Sequence, residues 1–368
     1  MKIVALCVLG VCLEGWCLTQ RPENIDDFRA LYRAAQLVGT PDGVYSHSTL
    51  LPTTNQKTWF LPFVRTPFYA LLLKPLTALP YPVARVVWLG LLIIAYASLI
   101  LLFPGPRDKL AMALSFSLPV TYGMMLGQDI ALVLLIVMAA GRLAASGKEF
   151  QAGLAASLLF IKPTYLLPAG IVFLARSRRG TCGIILGTAI QLAISFLLEG
   201  VRWPSGLLAM LRDSRFDMVI ERMLDVRAIA ASLHLPAPVY IVASIALLGW
   251  LWDIARRMDL RDALIAALPL GMIASPHSYV YDAVVLIPLL VRALSDKSQR
   301  VLLTMLALTP IPYAILMTHS GPHLLVGSTM VVVTTASAVY SFQAAHRAAG
   351  LSSNIVVQRT GDEIAGVT

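Results

Sequence analysis

The chain has 368 residues, 58% of them hydrophobic and only 13% charged, with a net charge of +9. A soluble domain carries about 25% charged residues. The composition, with a mean hydropathy of +0.75, therefore excludes one and predicts an all-α integral membrane protein. The positive balance is assigned to connections at a membrane surface, where Lys and Arg collect on the cytoplasmic side, and not to nucleic acid. The four cysteines (Cys7, Cys12, Cys17 and Cys182) have neither metal-ligand nor redox spacing and read as small apolar packing residues.

A first span is predicted at about 3–19, behind Lys2. The residues in its second half (Glu14, Trp16, Cys17, Leu18) offer no small-x-small cleavage site, so the segment reads as a retained anchor helix and not a signal peptide. Glu14 inside it is costly in lipid and should face the bundle.

Residues 20–65 form the most polar long stretch of the first half, punctuated by Pro22, Gly39, Pro41, Gly43, Pro52 and Pro62. Within it, 25–38 is predicted as a helix, with Asn24 as its N-cap and Asp26 and Asp27 in the first turn, where carboxylates suit the helix dipole. Residues 67–79 are apolar but short and contain Lys74 and Pro75, which reads as an interfacial helix of the same loop. The region 20–80 is thus one large outer loop.

Spans then follow at about 83–103, 110–122, 130–145, 151–161, 166–175 and 182–198. A second long loop with mixed charge occupies 199–238, and further spans are predicted at about 239–255, 263–275, 280–292, 301–317 and 324–342. The tail 343–368 is polar and without clear structure. Several spans fall short of the ~20 residues of a simple crossing, and Pro and Gly at their ends predict broken helices around a cavity. The whole of 1–342 reads as one transmembrane domain with a cytoplasmic tail.

Charge sets the topology. With the N-terminus inside and about 10–12 crossings, every short inside connection is basic: Arg107/Lys109, Arg142/Lys148, Arg176/Arg178/Arg179, Arg256/Arg257/Arg261 and Arg292/Lys297/Arg300. The short outside connections 122–129 and 318–323 carry no Lys or Arg. This arrangement gathers the unusual polar residues at the outer face. They are Asp26, Asp27, Arg65, Gln128, Asp129, Lys162 and the Ser275–Asp282 stretch, each from a different loop or helix end. His319 and His323 are four apart, but Gly321-Pro322 between them breaks the helix that would make this a metal-ligand spacing.

A carboxylate, a histidine and several cations at a membrane-embedded mouth suit transfer of a group from a lipid phosphate. The leaving phosphate is already anionic, so cations stabilise its charge and no general acid is needed. One carboxylate serves as base on an acceptor hydroxyl. A multi-span transporter or lipid-carrier flippase is the competing class. It calls for ionisable residues deep in several spans, where only Glu14 and a few Ser and Thr are found.

Several dispersed motifs carry a resemblance. They are Asp27-Phe28 with Tyr32 and Ala34-Ala35, followed by Gly39 and Gly43-Val44-Tyr45; the Pro67–Pro80 run; Gly127-Gln128; Ile161-Lys162-Pro163; and Ser275-Pro276-His277-Ser278-Tyr279 with Tyr281-Asp282. In this order and spacing, over roughly 20–290, the chain resembles the polyprenyl-phosphate-mannose-dependent transferases of glycosyltransferase family 87, in the GT-C superfamily. The resemblance implies a GT-C-type bundle with a large first non-cytoplasmic loop in the plasma (inner) membrane. It implies a polyprenyl-phosphate sugar donor, commonly mannose, a glycan or glycolipid acceptor, and no metal or other cofactor. Carried over, Asp27 is the general base; on the residues themselves Asp26 is the alternative base, a cap of the helix, or a partner of Arg29 or Arg33. Lys162, Arg65 and Arg85 hold the phosphate, His277 contacts the donor, and Gln128, Tyr281 and Asp282 complete the substrate-binding set. Two departures bear on donor and acceptor preference. Phe63-Val64-Arg65-Thr66-Pro67 stands where the family has a Tyr-Pro-Pro-like element, and Asp129 follows Gly127-Gln128.

Overall fold

The structure, a computed structural model, describes residues 26–46, 63–115, 117–212, 220–293, 311–318 and 322–365. The expected span 3–19, with Glu14, Cys7, Cys12 and Cys17, lies outside the described residues, as do Asn24 and His319.

All regular structure among the described residues is helical. Two first-loop helices come first: α1 (Asp27–Leu37) and α2 (Pro67–Leu73), the latter running into a 3-10 turn at Lys74–Ala78. Then follow α3 (Tyr81–Leu102), α4 (Arg107–Ser115), α5 (Leu118–Leu126) and α6 (Ile130–Ala145). Next come α7 (Glu149–Ala156), α8 (Pro163–Arg176), α9 (Arg178–Glu199), α10 (Trp203–Leu211) and α11 (Val226–Ser232). The chain continues with α12 (Ala237–Arg257), α13 (Leu260–Ala274), α14 (Leu286–Ala293), α15 (Ile311–Thr318) and α16 (Pro322–Ala365). The last of these carries helix far into the tail that composition left without structure.

Among the described residues, four helices are long and apolar enough to cross a membrane: α3, α9, α12 and the His323–Arg347 part of α16. A fifth span results if the bent pair α4–α5 counts as one. The outward faces of α3 and α9 expose Val86, Ile93, Ile94, Ile185 and Leu197, which lipid would cover. The shorter helices differ in burial: α8 still exposes Leu167 and Leu174, whereas α13 does not. In α13 every side chain from Asp262 to Ile273 is buried, and a helix apolar all round belongs in the middle of a bundle. Close helix contact comes from small residues. A Cβ on Gly153 of α7 would lie 1.9 Å from the Gly180 carbonyl oxygen of α9, so the two backbones touch.

The first-loop helix α1 begins two residues later than the sequence predicts. Its N-cap is Asp26, in extended conformation, and not Asn24. Phe28, Leu31, Ala34 and Ala35 form its buried stripe. Phe28 stacks on Trp88 of α3 with ring centroids 5.4 Å apart, and the Tyr32 hydroxyl donates to the Leu79 carbonyl at 2.8 Å. The loop is thereby fixed on the start of α3.

The helix ends divide into two sets. The N-terminal ends of α1, α3, α6 and α8 and the C-terminal end of α13 meet at one end of the bundle. The C-terminal ends of α3 and α6 and the N-terminal end of α13 meet at the other.

Candidate active site

Asp27 is the first residue of α1. Its carboxylate accepts a hydrogen bond from the Gln128 side-chain amide. Gln128 is aimed by the turn that ends α5. Gly127 there adopts φ +70°, the left-handed conformation that favours glycine at a helix end. A Cβ at this position would come within 2.7 Å of Phe28 Cβ. The Trp88 indole N–H closes the arrangement by donating to the Gly127 carbonyl at 2.8 Å.

Beside this pair lie two buried ion pairs. Arg65 Nε meets Asp129 Oδ2 at 3.4 Å, and the Asp129 side chain is 1% exposed. Lys162, the N-cap of α8, pairs with Asp282. The same Asp282 oxygen accepts from the Tyr165 hydroxyl at 3.3 Å, while its other oxygen takes the Tyr279 backbone N–H at 2.9 Å. Lys162 Nζ also sits over the Tyr281 ring, 5.2 Å from its centroid. Tyr281 bridges the groups, because Asp282, Asp27 and Arg65 all lie close enough to act on its hydroxyl electrostatically.

His277 packs edge-on against Tyr279, with centroids 4.9 Å apart. Burial pushes its pKa down to about 4; Asp282 opposes the change, while Lys162, Arg65 and Arg227 add to it. The imidazole is therefore neutral near pH 7 and can donate through one nitrogen and accept through the other.

Asp26 is held apart from Asp27. It accepts from Arg85 Nε at 2.8 Å and from the Tyr81 hydroxyl, and Arg85 also donates to the Met125 carbonyl at 3.1 Å. The expected partners of Asp26 are used elsewhere. Arg29 lies over the Tyr81 ring, and Arg33 bonds Gln36. Arg85 thus forms a clamp at the base of α1, next to the Asp27 group.

The structure accordingly brings Asp27, Gln128, Arg65, Lys162, His277, Tyr281 and Asp282 to one end of the bundle. It also supplies parts that sequence reasoning missed. Glu199, the last residue of α9, accepts the backbone N–H of Gly39 at 3.0 Å and of Val44 at 3.1 Å, gathering the first loop in a small nest. Lys74 Nζ adds a bond to the Val38 carbonyl at 2.7 Å. Asp225 does similar work for the second loop. It caps α11 by accepting from Ala228 N at 2.9 Å, and its other oxygen accepts from the Ser278 hydroxyl at 2.9 Å. Leu224 N donates to the Ser278 carbonyl at 3.0 Å, and Arg227 to the Pro276 carbonyl at 2.8 Å. The second loop is therefore fastened to the segment that carries His277. The signal was present as Asp225 placed three residues before Ala228, an N-cap spacing that reads as ordinary loop charge in a mixed-charge stretch.

Where metal binding is concerned, Asp259, Asp262 and His346 place ligand atoms within 4.8 Å of one another. Arg292 already binds Asp262 at 2.7 Å there, and a guanidinium in that position repels a cation.

No curated protein and no solved structure matches the chain. A model of glycosyltransferase family 87 matches residues 63–276, more than half of the chain. The match takes in Arg65, Arg85, Gln128, Asp129, Lys162, Glu199 and Asp225; Asp27, His277 and Asp282 lie beyond its ends. On this match, the chain belongs to glycosyltransferase family 87.

Proposed function

We propose that this membrane glycosyltransferase moves a sugar, commonly mannose, from a polyprenyl-phosphate carrier to a hydroxyl of a glycan or glycolipid. Asp27 removes the acceptor proton. The acceptor oxygen attacks the anomeric carbon as the bond to the phosphate oxygen breaks, and the phosphate leaves on its carrier with inversion at the sugar. One base and no general acid suffice, since the leaving group is stable as an anion.

The observation that carries this reading is the Asp27 carboxylate fixed by the Gln128 amide beside Arg65 and Lys162. Arg65 and Lys162 each have N–H donors beyond those used on Asp129 and Asp282, since a guanidinium has five and an ammonium three. Those donors serve the phosphate, with Arg85 at the edge of the site. Neutral His277 and Tyr281 contact the donor, and Asp282 orients Lys162. The basic connections at the opposite end support an outer, non-cytoplasmic placement of the site in the plasma membrane. Membership in a transferase family sets aside the transporter or flippase reading.

The test is transfer of labelled mannose from polyprenyl-phosphate-mannose to membrane glycolipids by the purified wild type and Asp27→Asn. The expected result is activity in the first and a loss of about a hundredfold or more in the second. A fully active Asn variant overturns the mechanism, and an inactive wild type overturns the donor.

A further inference from the structure

At the end of the bundle opposite Asp27 lies a cleft of about 570 Å³. Helix α3 separates the two. It starts at Tyr81 beside Asp26 and ends at Leu102 on the cleft, and its 22 residues span about 33 Å. The cleft is therefore distinct from the candidate active site.

Three arginines from three different helices line it: Arg107, Arg142 and Arg261, against a single carboxylate, Asp108. None of the three makes an ion pair among the described residues. Arg261 Nε is buried with no hydrogen-bond partner among them. Its side chain is drawn in across Gly141, where a Cβ would come within 2.8 Å of Arg261 Cγ. An orphaned buried guanidinium N–H is costly unless an acceptor fills its place. Solvation and charge placement at a helix end explain basic residues that fan out. They do not explain three that converge on one cleft with a net excess of positive charge. The edge of the cleft on α3 is apolar: Leu101 is 66% exposed on the outward side of that helix, where acyl chains would run.

We propose that this cleft binds the phosphate of an anionic ligand, with the headgroup of an anionic phospholipid as its occupant at membrane level. Guanidinium groups match a phosphate with paired N–H donors, and the apolar α3 edge accommodates the attached chains.

The experiment uses the full chain in mixed micelles of phosphatidylcholine and phosphatidylglycerol, with retained lipid read by native mass spectrometry. The wild type should retain phosphatidylglycerol in preference to phosphatidylcholine. Arg107→Gln/Arg142→Gln should bind it about thirtyfold more weakly, about fivefold for each charge lost near a membrane surface. Resistance of the retained lipid to inorganic phosphate identifies the headgroup as the ligand, and displacement identifies a soluble phosphate at the same site. Equal retention of the two lipids by the wild type, or of phosphatidylglycerol by wild type and variant, overturns the proposal. Should the variant not fold, a photoactivatable phosphatidylglycerol on the wild type decides. Labelling at 101–108 or next to Arg142 and Arg261 supports the site, and labelling confined to other segments overturns it.

Discussion

The Gln128 side-chain amide donates to the Asp27 carboxylate although 101 residues separate them in sequence. An amide in this position fixes a carboxylate without adding a formal charge. An arginine there would orient it equally well but hold its basicity down. Gln128→Ala is therefore expected to lower kcat by about tenfold, with KM changed less, because orientation of the base is lost and binding is retained. Gln128→Glu should be more damaging, as it sets a like charge against Asp27. Steady-state kinetics of the two variants check this, and equal activity in all three proteins removes Gln128 from the mechanism.

The Lys162–Asp282 pair is buried, so removal of one partner strands the other. Lys162→Met and Asp282→Asn are each expected to destabilise the protein by about 3 kcal/mol, and the double variant by less than the sum. Thermal unfolding of the three variants measures the coupling. Activity separates structure from chemistry. If Lys162 holds the donor phosphate, the double variant regains stability and stays inactive. Recovery of both would leave the lysine a purely structural role.

Much of this was legible in the sequence, and the limits have physical causes. Long apolar segments and basic short connections marked the bundle and its two ends, because lipid imposes those patterns directly. Convergence of Asp27, Lys162 and Ser275–Asp282 followed from topology alone. The partners did not. Arg65 finds Asp129, and Asp26 finds Arg85, through packing between elements that sequence spacing does not encode. The start of α1 was misplaced because Asn24 and Asp26 are both good N-cap residue types. The deciding contacts, Asp26 with Tyr81 and Arg85, come from α3. Short helices such as α13 looked too short to cross simply. The burial of α13 within the bundle explains why its sequence is apolar on nearly every side.

Glu199 gathers the first loop through two backbone N–H groups. Glu199→Ala leaves the part-buried Val44 N–H without its acceptor and opens the exposed Gly39 N–H to water, at a cost of about 1 kcal/mol spent locally on the loop. The loop's described residues pack in a smaller apolar cluster with α3, apart from the main bundle core. The expected outcome is faster hydrogen exchange at Gly39 and Val44, a severalfold loss of transferase activity, and little change in global unfolding. Glu199→Gln retains one acceptor oxygen and should recover part of both. Unchanged exchange at these two amides contradicts the anchoring role.

Asp225 makes the fastening of the second loop pH-dependent. Burial pushes its carboxyl up to about 7 from an ordinary 3.8, against the opposing effects of the Ala228 N–H, the Ser278 hydroxyl and Arg227. Between those two values the folded protein holds a proton that the unfolded chain has released. Stability from this group is thus fully present below about pH 4 and is lost as pH rises through about 7. His277 acts in the opposite direction: its folded pKa is depressed to about 4 from 6.5, so its contribution is lost as pH falls through that range. Comparison of Asp225→Asn with the wild type isolates the first effect, since an asparagine keeps the acceptor for Ala228 and never ionises. The variant should lose the decline in stability between about pH 4 and pH 7 and gain on the wild type at the alkaline end. Thermal unfolding and protease resistance of the 220–232 segment report it across that range. Parallel pH profiles for the two proteins would show that Asp225 ionises in the fold as it does in water, and that the Ser278 contact is not governed by its charge.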